Sequence, residues 1–232
     1  MSSTDQPDRP GALRRAVADP MSRRRLFAVA GGAGAAATLL AACGGDDDTT
    51  TSGGGSTSTM EPTTGMADGD ALAQFGEGDV GILNYALTLD YLEAAFYADV
   101  AASGLFKGAD LKLIRSFGRD EAEHVVALRD TVRAMGAKPA AKPRTEFPLD
   151  SAEEVLDLAA TVENLGAAAY LGQAPRIESG EVLAAALSIH AVEGRHAAAL
   201  NTLVGESFVP DGPFAKPADA ATVLDAVQPY IA

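Results

Sequence analysis

Two of the three histidines in this chain follow a glutamate by three residues, as Glu121-Ala-Glu-His124 and Glu193-Gly-Arg-His196. On a helix, residues i and i+3 share a face, so each pair can offer a carboxylate and an imidazole to one metal ion from one side. Glu93 and Glu163 sit in the apolar stripes of two further helix-like segments. In chain order the set reads Glu, Glu-x-x-His, Glu, Glu-x-x-His. That is the donor set of a di-iron or di-manganese carboxylate centre held inside four packed helices. Imidazole among the donors favours a transition metal over calcium or magnesium. Glu93, Glu121 and His124 would serve one ion, and Glu163, Glu193 and His196 the other, with Glu121 and Glu163 as alternative bridges.

Each of these residues falls in phase with core-type neighbours. Glu93 shares its stripe with Ala86, Leu89, Phe96, Tyr97 and Val100; Glu163 shares its own with Leu156, Ala159, Ala160, Ala167 and Tyr170. A glutamate facing a core is costly unless it is protonated, paired or metal-bound. Glu123 points off the stripe and reads as solvated. His190, one turn before Glu193, is either a partner that orients a ligand carboxylate or a core histidine bonded to a backbone carbonyl. Tyr97 and Tyr170 read first as packing, and second as hydroxyl donors to the ligand carboxylates or as an electron relay.

The elements that must position these residues follow from a 3.6-residue apolar period that begins near residue 79. It predicts helices at 79–103, 109–135, 151–174 and 180–204, and a short fifth at 218–230; no run alternates long enough to argue a strand. Ser151-Ala-Glu-Glu154 is a capping box at the start of the third. Each ligand set lies near the middle of its helix, so all six residues can meet in one layer whichever way each helix runs. Short links make helices 1 and 2, and helices 3 and 4, antiparallel neighbours. The link Gly136–Asp150, with Pro139, Pro143 and Pro148, extends to roughly 50 Å, enough to run the length of a bundle as a single long crossover.

Composition bounds the rest. The apolar fraction is 47% and the net charge −14, a balance that disfavours phosphate-backbone contacts and so nucleic acid as a partner. The one cysteine, Cys43, excludes an intramolecular disulfide and any Cys-based zinc or iron–sulfur site. It closes Leu40-Ala-Ala-Cys43, which resembles a bacterial lipobox. Ser22-Arg-Arg-Arg-Leu-Phe resembles a twin-arginine export signal with Arg23 and Arg24 as the pair. The alternative, an uncleaved membrane anchor, suits residues 26–42 poorly, because they are few and rich in glycine. The expected organisation is therefore a signal peptide at 1–42, a Gly/Ser/Thr/Asp tether at 43–78 and a helical domain at 79–232. Lipidation of Cys43 would fix the protein to the outer face of the cytoplasmic membrane after passage through the twin-arginine machinery.

The segments Tyr170-Leu-Gly-Gln-Ala-Pro-Arg-Ile, Leu183-Ala-Ala-Ala-Leu-Ser-Ile, Val192-Glu-Gly-Arg-His-Ala-Ala-Ala-Leu and Ala221-Thr-Val-Leu-Asp-Ala-Val-Gln-Pro-Tyr-Ile resemble the bacterial ferritin-like domain family that includes plant desiccation-related proteins. The resemblance spans about residues 79–232. It implies an all-α fold, a ferritin-like four-helix bundle with one long crossover and a short C-terminal fifth helix, and a dinuclear metal centre where the ligands are kept. Two Fe ions are the expected cofactor, with Mn as the alternative, and O2 or peroxide as the reactant of an oxidase, ferroxidase or peroxide-removing activity. A non-catalytic envelope-binding or stress-protective bundle, with structural metal or none, is the competing expectation. Neither sequence nor resemblance fixes an oligomeric state.

Overall fold

The structure, a computed structural model, describes residues 71–232. The export signal with Arg23 and Arg24, the lipidation site Cys43 and the tether up to residue 70 lie outside the described residues. The last part of the stretch assigned to the tether is built into the fold. Residues Ala73–Phe75 form a 3-10 turn. Leu72 is 5% exposed within the core, and the Phe75 carbonyl accepts a hydrogen bond from Asn84 Nδ2 at 3.0 Å. Residues 71–77 thus pack onto the fold through Leu72 and through Phe75, whose ring lies edge-on to Tyr85.

The described residues form helices α1 (Gly78–Ala102), α2 (Gly108–Ala134), α3 (Ala152–Gln173), α4 (Gly180–Leu203) and α5 (Ala220–Val227). The first four agree with the periodicity to within two residues at each end. The fifth is shorter than 218–230: a 3-10 turn, Gln228–Tyr230, takes over where Pro229 cannot donate to a continuing helix. Ser151 caps α3, accepting from Glu154 N at 3.2 Å and donating its hydroxyl to Glu154 Oε2 at 2.8 Å. Ser179 and Asp219 cap α4 and α5 in the same way, each satisfying an N–H that the helix leaves without a partner.

Helices α1 and α2 pack as one hairpin and α3 and α4 as another, as the short links predict. The 135–151 link leaves the end of α2 beside the start of α1, where the Ala140 N–H donates to Asn84 Oδ1 at 2.8 Å. It finishes near the far half of α1, where Phe147 packs edge-on against Phe96 with centroids 5.2 Å apart. Those α1 residues are twelve apart, a rise of roughly 18 Å. The link is thus the long crossover, and it makes α3 antiparallel to α1. The C-terminus ties it down: Glu146 N–H donates to the Tyr230 carbonyl, Ala232 N–H donates to the Arg144 carbonyl, and Phe147 stacks on Tyr230. Among the described residues no helix is long and apolar enough to cross a membrane.

The core comes in two apolar clusters. One gathers Leu83, Leu87, Leu128, Val132 and Ile189 toward the α1 start; the other gathers Phe96, Val100, Ile114, Val155 and Leu200 toward its end. The helix segments around residues 93, 121, 163 and 193 lie at the boundary between them, so the carboxylates form a polar layer closed above and below by hydrocarbon. The paired carboxamides of Asn164 and Asn201, bonded at 2.7 and 3.2 Å, fix the register of α3 against α4 next to that layer.

Candidate metal centre

All four glutamates expected from the sequence are buried: Glu121, Glu163 and Glu193 are fully enclosed and Glu93 is 2% exposed. Two groups of donor atoms converge tightly enough for one ion each. The first is Glu121, Glu163, Glu193 and His196; the second is Asp90, Glu121 and His124. The structure thus brings together five of the six expected residues. Glu93 lies outside both groups, beside Glu193, and the α1 residue that joins the second group is Asp90, one helical turn earlier. Asp90 is fully buried. The sequence reading passed over it because Glu93 completes the expected four-glutamate pattern on the same face.

Glu121 stands between the imidazoles. Its Oε2 is 3.0 Å from His124 Nδ1 and its Oε1 is 3.1 Å from His196 Nδ1. His124 Nδ1 also lies 3.1 Å from Glu193 Oε1, and His196 Nδ1 lies 3.3 Å from Glu163 Oε2. Both rings therefore turn Nδ1 toward the cluster. The Nε2 of His196 faces Asp120 Oδ2 at 3.5 Å, and its ring lies against Phe117 with centroids 4.1 Å apart. A carboxylate near the outer nitrogen favours the tautomer that leaves Nδ1 as a lone-pair donor.

The tyrosines cross between hairpins. Tyr97 on α1 donates its hydroxyl to Glu163 Oε1 on α3. Tyr170 on α3 donates to Asp90 on α1, 3.0 and 3.1 Å from its two oxygens. Burial, then the neighbouring carboxylates, pushes both phenols well above their ordinary range, so both stay protonated and act as donors. His190 meets one of the two alternatives open to it. Its Nδ1 meets the Ala167 carbonyl at 3.0 Å rather than a ligand carboxylate, because α3 brings its backbone against that ring; of the two alternatives, the core histidine holds.

Burial raises the pKa of Asp90, Glu93 and Glu193 well above the carboxylate range, and repulsion from neighbouring carboxylates, Glu121 and Glu163 in every case, adds to it. Burial pushes Glu121 the same way, but His124 and His196 outweigh it and hold it low. Burial opposes charge on the histidines, but the carboxylates in contact with them prevail, raising His124 to about 11 and His196 to about 10. These shifts fix a pH dependence for the metal-free protein. Groups with raised pKa bind protons more tightly folded than unfolded, so they stabilise at low pH and lose that contribution as pH rises. For the acids the loss begins above the unfolded values of 3.8 and 4.5; for the histidines it runs from 6.5 up through about 10 and 11. Within the layer Glu121 acts oppositely, losing its contribution as pH falls below 4.5, and on the surface Asp211 and Asp219 do the same below 3.8. Between pH 5 and 9 the thermal midpoint of the metal-free domain should fall. A midpoint that rises over this range, followed by circular dichroism, would refute this charge assignment.

A second property of the cluster is its unmet polarity. Glu93 Oε2, Glu121 Oε1, Glu163 Oε2, both oxygens of Glu193 and His196 Nδ1 are buried without an aligned hydrogen-bond partner. Buried polar atoms are ordinarily satisfied, and this many acceptors in one layer calls for cations among them. Carboxylate oxygens with two imidazole nitrogens match the hard-to-borderline divalent transition metals. The residues therefore fit a dinuclear metal site.

The ferritin-like domain family matches residues 78–206 of this chain. A crystal structure of a conserved hypothetical protein from Mycobacterium tuberculosis is similar to it, with 20% identity over 60% of this chain and 93% of the other, at a TM-score of 0.49. No curated protein matches.

Proposed function

The chain belongs to the ferritin-like domain family, and on that footing we propose that it is a dinuclear redox protein, most simply di-iron, that reacts with O2 or peroxide. The observation that carries this reading is the layer of five buried carboxyls and two inward-facing imidazoles, several of whose atoms lack a partner. Asp90, Glu121 and His124 would hold one ion, and Glu163, Glu193 and His196 the other. Glu121 is placed to bridge, since its two oxygens face different imidazoles.

A bound metal pair would supply the electrons that reduce an oxygen species, and the protein supplies the setting. The apolar clusters on either side keep bulk water from the layer, which strengthens each charge interaction within it. Tyr97 and Tyr170 hold protons at Glu163 and Asp90, fixing each carboxylate's orientation from the opposite hairpin. Asp120 and Phe117 hold the plane of His196. Iron- and manganese-loaded protein should consume O2, with Fe(II) or another reductant supplied, or peroxide, over many equivalents per chain in an oxygen- or peroxide-electrode assay. Metal uptake that raises the melting temperature without turnover would instead identify a structural centre in a binding or protective module.

In the same proposal, the segments that resemble an export signal and a lipobox would anchor the site at the outer face of the cytoplasmic membrane, with a tether holding the bundle off it. Twin-arginine export carries folded proteins, which suits metal loading before export because folding and metal binding are coupled. Cys43→Ala should move the protein out of the membrane fraction of its host; a variant that stays membrane-bound as wild type does would remove the lipid anchor from this account.

A further inference from the structure

The chain carries its donor pattern twice. Asp90 stands seven residues before Tyr97, and Glu163 seven before Tyr170; the Glu-x-x-His pairs follow at 121/124 and 193/196. The tyrosine bonds repeat the same symmetry, Tyr97 reaching Glu163 and Tyr170 reaching Asp90. In this near-twofold scheme the counterpart of Glu163 on the first hairpin is Asp90. Three residues further on, the counterpart of Glu93 is Gly166. Glu93 is therefore a carboxylate that only one half of the site possesses.

Its place is made by that glycine. A Cβ built at Gly166 would lie 2.7 Å from Glu93 Oε1, too close for any real contact, and 3.8 Å from Glu193 Oε2. The Glu93 carboxylate thus occupies the volume that a side chain at position 166 would fill. It is 2% exposed, and its Oε2 has no hydrogen-bond partner although four other carboxyls lie near enough to repel it. Such a group, buried beside the donor residues, is costly unless a proton or a cation neutralises it.

Resting on the dinuclear reading above, we propose that Glu93 is a supplementary metal ligand confined to one half of the centre, and that Gly166 is the residue that admits it. Charge gives the consequence. Asp90, Glu121, Glu163 and Glu193, with two neutral imidazoles, balance two dications. Adding Glu93 leaves one net negative charge on a pair of dications and one net positive charge on a pair of trications. In a layer shielded from water this favours the more highly charged pair, so Glu93 lowers the reduction potential of the iron-loaded protein and makes its two metal positions unlike.

The test uses the full chain loaded with iron, as wild type, Glu93→Gln and Gly166→Ala. The isosteric Glu93→Gln removes the charge. Gly166→Ala keeps every donor residue in the chain but fills the space in which the Glu93 carboxylate lies, so that this flexible end must swing out of it. Both variants should keep about two irons per chain. Both should show the same altered Mössbauer doublets relative to wild type, and both a midpoint potential shifted to more positive values in a mediator titration. Wild-type spectra and potential in Glu93→Gln would remove Glu93 from the ligand set while leaving the two-iron reading intact. A change in Glu93→Gln with none in Gly166→Ala would remove the role of Gly166. A wild-type protein that takes up no iron would overturn both the proposal and the reading beneath it.

Discussion

Glu121→Ala should cost the protein both metal ions, whereas Asp90→Ala should cost it mainly one. Glu121 is the member common to both converging donor groups, and its oxygens lie 3.0 and 3.1 Å from the His124 and His196 imidazoles. Removing it takes a donor from each position and leaves His124 and His196 without the carboxylate that faces both. Loss of a residue that merely orients a metal ligand costs about 10–100-fold in affinity. Loss of a shared donor should exceed that, on the order of 100-fold or more at each position. Asp90 belongs to one group, and its partner Tyr170 keeps its packing in the variant. Dialysis against buffered metal followed by metal analysis separates the cases. Equal metal content in Glu121→Ala and wild type would show that Glu121 is not a donor and would break the bridging assignment.

The second large effect concerns stability. The metal-free bundle buries five carboxyls close together, and it accommodates them through raised pKa values at Asp90, Glu93 and Glu193 and through two charged histidines. Metal ions that bind only the folded chain stabilise it by mass action, roughly 4 kcal/mol for each site held at a thousandfold excess over its dissociation constant. For a domain of this size each kcal/mol moves the midpoint by about 2–4 °C. Stripping the protein with a chelator should therefore lower its melting temperature by roughly 15–30 °C for two tightly held ions. The pH trend should reverse as well: the metal-free midpoint falls from pH 5 to 9, while binding that displaces protons from His124, His196 and the acids strengthens over the same interval. Scanning calorimetry of the two forms across that range tests both statements. Coincident curves for loaded and stripped protein would mean the layer holds no metal that matters to the fold.

The sequence made most of this legible because the relevant signals are local. The 3.6-residue period located α1 to α4, the capping box located the start of α3, and Glu121/His124 and Glu193/His196 could be paired because one helix places both members on one face. The crossover followed from a length that only a lengthwise path explains. What remained hidden depends on how separate helices approach. Asp90 differs from the aspartates that cap helices or face solvent only because α3 brings Tyr170 and the carboxylate layer to it; the one available sign was its seven-residue spacing to Tyr97, repeated from Glu163 to Tyr170. The significance of Gly166 appears only when Glu93 is seen lying in its space. His190 could not be assigned from spacing, since its partner, the Ala167 carbonyl, belongs to another helix. The folded state of residues 71–77 rests on Leu72 and Phe75, too few apolar residues for a periodicity to register.

The central claim is that the buried layer between the two apolar clusters holds a metal pair. A crystal structure of the iron-loaded protein, with anomalous differences recorded across the iron edge, measures this most directly. The account predicts two peaks about 3.5–4 Å apart, one among Asp90, Glu121 and His124 and the other among Glu163, Glu193 and His196, with Glu121 reaching both. Iron found only at surface carboxylates, with no anomalous peak in this layer, would contradict it.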